Sequence, residues 1–430
     1  MKKVFGIAVM LLALAACNKV ETEIQPVENN EGIPFSATMS IGHNDATKAL
    51  TESSNTIVAT WAVDETVALI HNGVKDVMTV SAVNEGVATI TGTVTHSPSD
   101  GDDVTVIYPA SAADGTTGNI KADLLYAQNG LLTGDGSIAA NYDARIGTGK
   151  LKVSGTKASL NGNMTLDNQF AIFKFTIKNT DGSATIKVKS LTITIGEQNY
   201  VITPASATSE LYAALPAISG QAVTFTATGS NDKTYTASKA SITFTAGKYY
   251  QSVIKIAATG HELSASAFGE VVGTNGLAYI VADKDNLPTG VTAAGMVAYK
   301  NGSNGLVIAL RDALTGVNWN TATGKDGASA YSSPVTGKTW KVPSKDEWTQ
   351  MCANGFCKNL NSALNSAGGR PLRLKEWDNN FYYWSSSSSS QDSQSAWCVY
   401  FDGEGLAQGM YAYKDNGNYK YFGVRACFAF

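Results

Sequence analysis

Histidine is nearly missing from this chain: four residues in 430, at His43, His71, His96 and His261. With none after His261, the C-terminal third cannot run imidazole acid–base or triad chemistry. Four scattered histidines also make no zinc cage. Charge is thin at 16%, and the net charge of −4 gives no general drive toward nucleic acid or anionic lipid. There is no arginine before Arg145. The chain has no G-x-S-x-G, H-E-x-x-H, P-loop or C-x-x-C motif. Gly147-Thr148-Gly149 is too short for a dinucleotide fingerprint. Together these absences predict a protein that is not an enzyme and carries no metal or cofactor.

Small and β-branched residues fill the space that charge leaves. Glycine alone numbers 41, and helical periodicity is rare, so the composition favours β-structure with many turns. A length of 430 residues implies two to four domains. Lys2 and Lys3 precede an apolar run from Val4 to Leu14, too short to span a bilayer comfortably. The run ends at Leu14-Ala15-Ala16-Cys17, which resembles a bacterial lipobox. Residues 1–16 therefore read as a lipoprotein signal peptide, Cys17 as the lipidation site, and 17–32 as a polar tether. The expected location is the outer membrane and cell surface, through that anchor.

From residue 33 the chain reads as strands divided by turns. Ile33 to Met39 alternates apolar and polar, and Asp64 to Ile70 follows a turn. Asp76 to Val83 and Gly86 to Val94 read as a hairpin, and Asp103 to Tyr108 is stopped by Pro109. Residues 111–165 are looser, with short strands at best. A second set begins at Phe170 to Ile177 and closes near Tyr249 to Ile256. This pattern predicts a sandwich over 33–165, a smaller one over 166–256, and a linker over 257–267.

Several short motifs fall in a telling order: Ile33-Pro34-Phe35-Ser36-Ala37, Ala46-Thr47-Lys48-Ala49, Trp61 before Asp64-Glu65-Thr66-Val67, Ile107-Tyr108-Pro109, and Ala246-Gly247-Lys248-Tyr249-Tyr250. Over about 33–256 the chain resembles the fimbrillin family (Mfa-like, type V pilins), exported lipoproteins built from two transthyretin-like β-sandwiches. The resemblance implies assembly by donor-strand exchange. A protease removes the first strand, and the vacated groove takes a strand from another fimbrial subunit. The bond that matches the family's processing site, in the loop after the first strand, is Lys48-Ala49. An arginine-specific protease would find no site there.

From Phe268 the pattern changes. Four of the five cysteines and five of the seven tryptophans lie between Trp340 and Phe430. Trp340-Lys341-Val342 reads as a strand stopped by Pro343. Ser344 and Glu347 form a capping box for a helix burying Trp348, Met351 and Cys352, with Asn354-Gly355 as its stop. Leu360 and Leu364 mark a second helix ended by Gly368-Gly369, and a meander runs to Phe430, whose last strand reads as an inner one. The series Trp340-x-Val342-Pro343, Glu347-Trp348, Tyr383-Trp384-Ser385-Ser386, Val399-x-Phe401 and Val424-Arg425-Ala426 resembles a C-type-lectin-like domain of the Fibrobacter succinogenes major domain kind, over about 268–430. That family's calcium signatures are absent, so calcium is unsupported. The expected fold is thus mainly β, two sandwiches followed by an α+β lectin-like domain.

Export permits disulfides, and Cys398 with Cys427 is the candidate pair. A glycan or protein ligand on a host or bacterial surface calls for aromatic faces beside amides and carboxylates. Trp377-Asp378-Asn379-Asn380 and the set Tyr411, Tyr413, Asp415, Asn416 and Asn418 offer that chemistry. Trp340, Trp348, Trp384 and Trp397 read as core instead. The expected function is a cell-surface adhesin at the tip of a fimbrium; the alternative is a stationary glycan-binding lipoprotein of a nutrient uptake system. Neither calls for nucleic acid.

Overall fold

The computed structural model of the protein describes residues 32–41, 46–53, 56–352, 357–374, 381–402, 406–415, 417 and 419–430. The signal, Cys17 and the tether up to residue 31 lie outside these residues. Among the described residues no helix is long and apolar enough to cross a membrane.

The N-terminal half runs through β1 (Ile33–Ile41), a hairpin of β2 (Ala46–Ser53) and β3 (Thr56–Ala59), β4 (Thr66–His71), β5 (Val74–Asn84), β6 (Val87–Val94), β7 (Asp103–Tyr108), the short β8 (Ala127–Gln128), β9 (Arg145–Ser154), β10 (Lys157–Leu160) and β11 (Met164–Asn168). Eight of these, β1, β4 to β7 and β9 to β11, form one sheet. The expected pair of layers over 33–165 is instead a single sheet that closes on itself. Strand β1 completes the ring, antiparallel to β6 from Ile33↔Val94 to Met39↔Ala88 and parallel to β11 from Met39↔Met164 to Ile41↔Leu166. Closure leaves no open edge in the ring. Period-two alternation sends Phe35 and Met39 inward, where both are buried with Leu69, Met78, Ile90 and Val106.

Strands β9 to β11 lie where only loose structure was expected. Gly147 and Gly149 hid the alternation of β9, and packing explains them. A Cβ at Gly147 would lie 2.6 Å from Leu166 Cδ2, and one at Gly149 3.0 Å from Met164 Cε. The missing side chains leave room for β11 to cross.

The second unit contains β12 (Phe170–Lys178), β13 (Val188–Ile195), β14 (Gln198–Ile202), β15 (Glu210–Pro216), β16 (Ile218–Gly229), β17 (Thr234–Phe244), β18 (Tyr249–Lys255) and β19 (Ala257–Ala258). A three-stranded sheet, β15-β12-β18, and a six-stranded one, β19-β17-β16-β13-β14-β8, enclose Phe173, Phe175, Ile193 and Phe225. The same core takes Leu125, Leu132, Ile138 and Tyr142, and Ile57 from the β2–β3 hairpin. The boundary at 165/166 is therefore corrected. Two excursions from the first stretch of chain belong to the second unit. The leucines and isoleucines of the longer excursion, Leu125, Leu132 and Ile138, cover the sandwich with little strand structure of their own, so they carry no strand period. Buried Gln128 bridges this covering segment to β15, donating to Leu125 O and Ala214 O and accepting from Ala214 N.

The third unit contains β20 (Val271–Gly273), β21 (Ala278–Tyr279), β22 (Ala293–Asn301), β23 (Asn304–Ala309), β24 (Leu314–Thr315), α1 (Trp319–Thr323), α2 (Lys345–Met351), α3 (Cys357–Ser366), β25 (Tyr382–Ser388), β26 (Ser395–Phe401), β27 (Ala407–Tyr413), β28 (Phe422–Val424) and β29 (Cys427–Ala429). The capping box forms as expected: Glu347 N donates to Ser344 Oγ at 3.1 Å, and Ser344 N to Glu347 Oε2 at 2.8 Å. Gly368, at φ +78°, ends the turn after α3. The expected stop at Asn354-Gly355 lies outside the described residues. Trp340, Trp348, Trp384 and Trp397 are all core residues.

Two expectations for the chain end need correcting. The order β21-β20-β22-β23-β29 puts β29 at a sheet edge, not inside. Trp340-Lys341-Val342 forms one bridge rather than a strand, Lys341 with Cys427, and that bridge covers the edge. Phe428 is buried regardless, with its ring 4.8 Å from Trp340. A three-residue strand with apolar side chains on both faces looks interior in sequence, even when only its side chains are interior.

Candidate functional site

Two surfaces carry the chemistry that the sequence singles out. The first follows β1. The β2–β3 ladder pairs Ala46 with Ala59 and next Thr51 with Val58, so residues 47–50 oppose a single step of β3. Lys48 and Ala49 sit in that bulge, within β2 rather than in the expected loop. Just beyond it, Glu52 is gripped by the second unit. Tyr212 donates its hydroxyl at 2.6 Å, Tyr249 at 2.8 Å, Lys174 its ammonium at 3.0 Å and Gln251 its amide at 3.2 Å. Lys174, Tyr212 and Gln251 stand abreast on β12, β15 and β18 because the cross-strand register aligns them. The Tyr212 hydrogen bond, followed by those from Tyr249 and Lys174, holds the Glu52 carboxyl below its ordinary range despite partial burial. Sequence reasoning missed this grip, since its partners lie more than a hundred residues from Glu52.

The second surface is the β27 edge. In the order β24-β28-β25-β26-β27 this strand has one neighbour, and its side chains are open on both faces. Tyr411 pairs with Trp397 and Tyr413 with Ser395, leaving the tyrosines 48% and 63% exposed. The Lys345 ammonium stands 5.9 Å from the Tyr411 ring. Asp415 is exposed just after the strand. Gly409 lets the Trp397 indole lie against β27: a Cβ there would meet the ring at 2.2 Å. The indole is thus the wall behind the tyrosines. Two exposed phenol faces with a cation beside one can stack on a flat apolar surface and hydrogen-bond at its rim. Trp377, Asp378, Asn379, Asn380, Asn416 and Asn418 lie outside the described residues.

Cys398 and Cys427 do not pair. Cys398 and Cys427 are free thiols on different sheets, which corrects the expected bridge. Cys398 Sγ approaches Met410 O at 3.6 Å, and Cys427 Sγ approaches Glu347 Oε2 at 3.9 Å. Burial pushes the Cys398 thiol up to about 12 and Cys427 higher still, so both are inert and pack as small hydrophobes. Among the described residues no cluster of His, Cys, Asp and Glu could hold a metal.

The buried charges have structural explanations. Arg145 pairs with Asp143 at 3.2 Å, and Tyr108 donates to Glu65 at 3.0 Å. Fully buried Arg425 pairs with Asp312 at 2.9 Å and donates to Ala309 O and Arg370 O, tying the chain end to the segment after α3.

No protein-family model and no curated protein matches the chain. Among solved structures it is similar to a fimbrial protein from Bacteroides ovatus, at 14% identity and a TM-score of 0.28, over 93% of this chain and 99% of that one. It is also similar to a fimbrial assembly protein from Parabacteroides distasonis, at 13% identity and a TM-score of 0.29, over 52% and 90%.

Proposed function

We propose that this chain is a non-enzymatic cell-surface adhesin, a tip subunit of a fimbrium assembled by donor-strand exchange. It is exported as a lipoprotein, processed at Lys48-Ala49, and binds a glycan or protein ligand through its C-terminal, C-type-lectin-like unit. The observation that carries the reading is the position of β1. It is a single terminal strand hydrogen-bonded along both edges, whose removal would open one continuous slot in a closed sheet. An incoming strand could satisfy the same backbone groups. Strand β29 is committed to its own unit through buried Phe428, so β29 itself is not free to serve as a donor.

The test is to cut the purified protein at Lys48 and add a synthetic donor strand. The expected result is a one-to-one complex and no self-polymerisation. Growth of homopolymeric filaments would sink the tip assignment, and failure to take any strand would sink the exchange mechanism. Mass spectrometry of the mature surface protein supplies a second arm. An N-terminus at Ala49 supports the fimbrial reading, and an intact lipidated Cys17 supports the stationary lipoprotein.

A further inference from the structure

A cleft in the third unit, distinct from both surfaces above, has the lining of a small-ligand site. It measures about 410 Å³ and lies between the segment leading into β22, the end of β23, residues 331–333 and the turn after α3. That volume falls in the range usual for small-molecule pockets, roughly 300–1,000 Å³. Leu310 gives it an apolar floor, and Ser332 and Ser333 bring hydroxyls, while the buried Tyr331 hydroxyl is already committed, donating to Ala294 O at 3.2 Å. Lys284 and Arg311 bring positive charge.

Arg311 is the exposed cation of the cleft. Its sequence neighbour Asp312 is already engaged by buried Arg425 at 2.9 Å and by Arg373 at 3.7 Å. Among the described residues no carboxylate pairs with Arg311 itself. Lys284 is partly neutralised by Asp285, which is largely exposed. Two cations and one carboxylate leave the lining with one net positive charge. An exposed planar guanidinium that pairs with no described carboxylate can capture a planar anion in bidentate fashion. One net charge matches a carboxylate better than a doubly charged phosphate. Hydroxyls over an apolar floor suit a sugar ring, with C–H groups against Leu310 and hydroxyls toward the serines.

We infer that this cleft binds an acidic monosaccharide, a uronic or sialic acid unit, with Arg311 holding its carboxylate. The site stands whether or not the chain is fimbrial, because it needs no processing and no partner subunit.

Titration of the full chain with sodium glucuronate, N-acetylneuraminate, glucose and inorganic phosphate tests the inference. At least one sugar acid is expected to bind with Kd about 1 mM or tighter, and glucose about tenfold more weakly or not at all. Arg311→Met should weaken the acid about tenfold or more while leaving the melting temperature unchanged, with Arg311→Lys in between. Four outcomes would overturn the site: no saturable binding of either acid, equal binding of glucose, tighter binding of phosphate, or an unchanged Arg311→Met. Loss of binding in Tyr413→Ala but not in Arg311→Met would move the acid to the tyrosine edge and also end the assignment.

Discussion

The first and last strands of the described chain each bury two side chains, yet they are held in opposite ways. Strand β1 buries Phe35 and Met39 and is paired with neighbours along both edges. Strand β29 buries Cys427 and Phe428 but pairs with one strand and one bridge. Its hold comes from side chains, Phe428 against Trp340 and, just before it, Arg425 on Asp312. Backbone pairing is generic, and another strand of suitable pattern can reproduce it. Side-chain packing of this kind is particular to its own sequence. Under the proposed exchange, β1 is the strand that another could replace, whereas β29 is held by contacts particular to its own sequence.

The strongest way to break this contrast is complementation. Protein lacking residues up to 41 should lose the closed sheet, and a synthetic 33–41 peptide added in trans should restore it, read by binding stoichiometry and thermal unfolding. Protein lacking 425–430 should lose the fold of its third unit, and the missing peptide should not rescue it. Rescue at both ends, or at neither, removes the distinction.

Point substitutions sharpen the contrast at lower amplitude. Phe428→Ala should cost about 3–5 kcal/mol, since it opens a cavity beside Trp340. Met39→Ala should cost about 2–5 kcal/mol. The two should differ in kinetics. Met39→Ala should speed exchange of β1 for a competing strand, followed by fluorescence of a labelled peptide, and Phe428→Ala should not.

Glu52 sits between these extremes, a side-chain hold just beyond the bulge that contains Lys48-Ala49. Glu52→Gln exchanges charge-assisted hydrogen bonds for neutral ones and should cost about 1–2 kcal/mol in chemical denaturation. It should also remove part of the acid sensitivity. A carboxyl whose folded pKa lies below its unfolded one binds fewer protons in the folded state, so stability rises with pH. This contribution is fully present above the ordinary carboxylate value and is lost as pH falls through the lowered one. The wild type should therefore lose more stability than Glu52→Gln as pH falls from neutral through the ordinary carboxylate range and below it. Parallel acid profiles would count against the grip.

Much of this was legible before the structure, for reasons specific to each element. Alternation in Ile33 to Met39 announced β1, and Ser344 with Glu347 announced α2, because both signals are local. Strand β9 was hidden by Gly147 and Gly149, whose meaning appears only when β11 crosses them. The 165/166 boundary failed because covering segments pack without periodicity. The Cys398–Cys427 pair failed because two cysteines on strands need not share a sheet. At the site, Tyr411 and Tyr413 were readable as exposed aromatics near a turn, whereas Glu52 and Arg311 gain their roles from residues distant in sequence.

The smallest expected effect on stability belongs to the tyrosine edge, and it is informative for that reason. Tyr413 is 63% exposed and Tyr411 48%, so Tyr413→Ala should change stability by less than about 0.5 kcal/mol. A ligand that stacks on the edge would lose far more, about 1–3 kcal/mol per ring if aromatic stacking on sugars resembles that on bases. Gly409→Ala probes the same edge from behind. It forces the Trp397 ring to shift and should cost about 1–3 kcal/mol by overpacking, disturbing the wall without touching either tyrosine. Glycan-array binding that falls in Tyr413→Ala at unchanged stability makes β27 a contact surface. Binding that falls only with Gly409→Ala makes the tyrosines bystanders on a strand whose task is to seat Trp397.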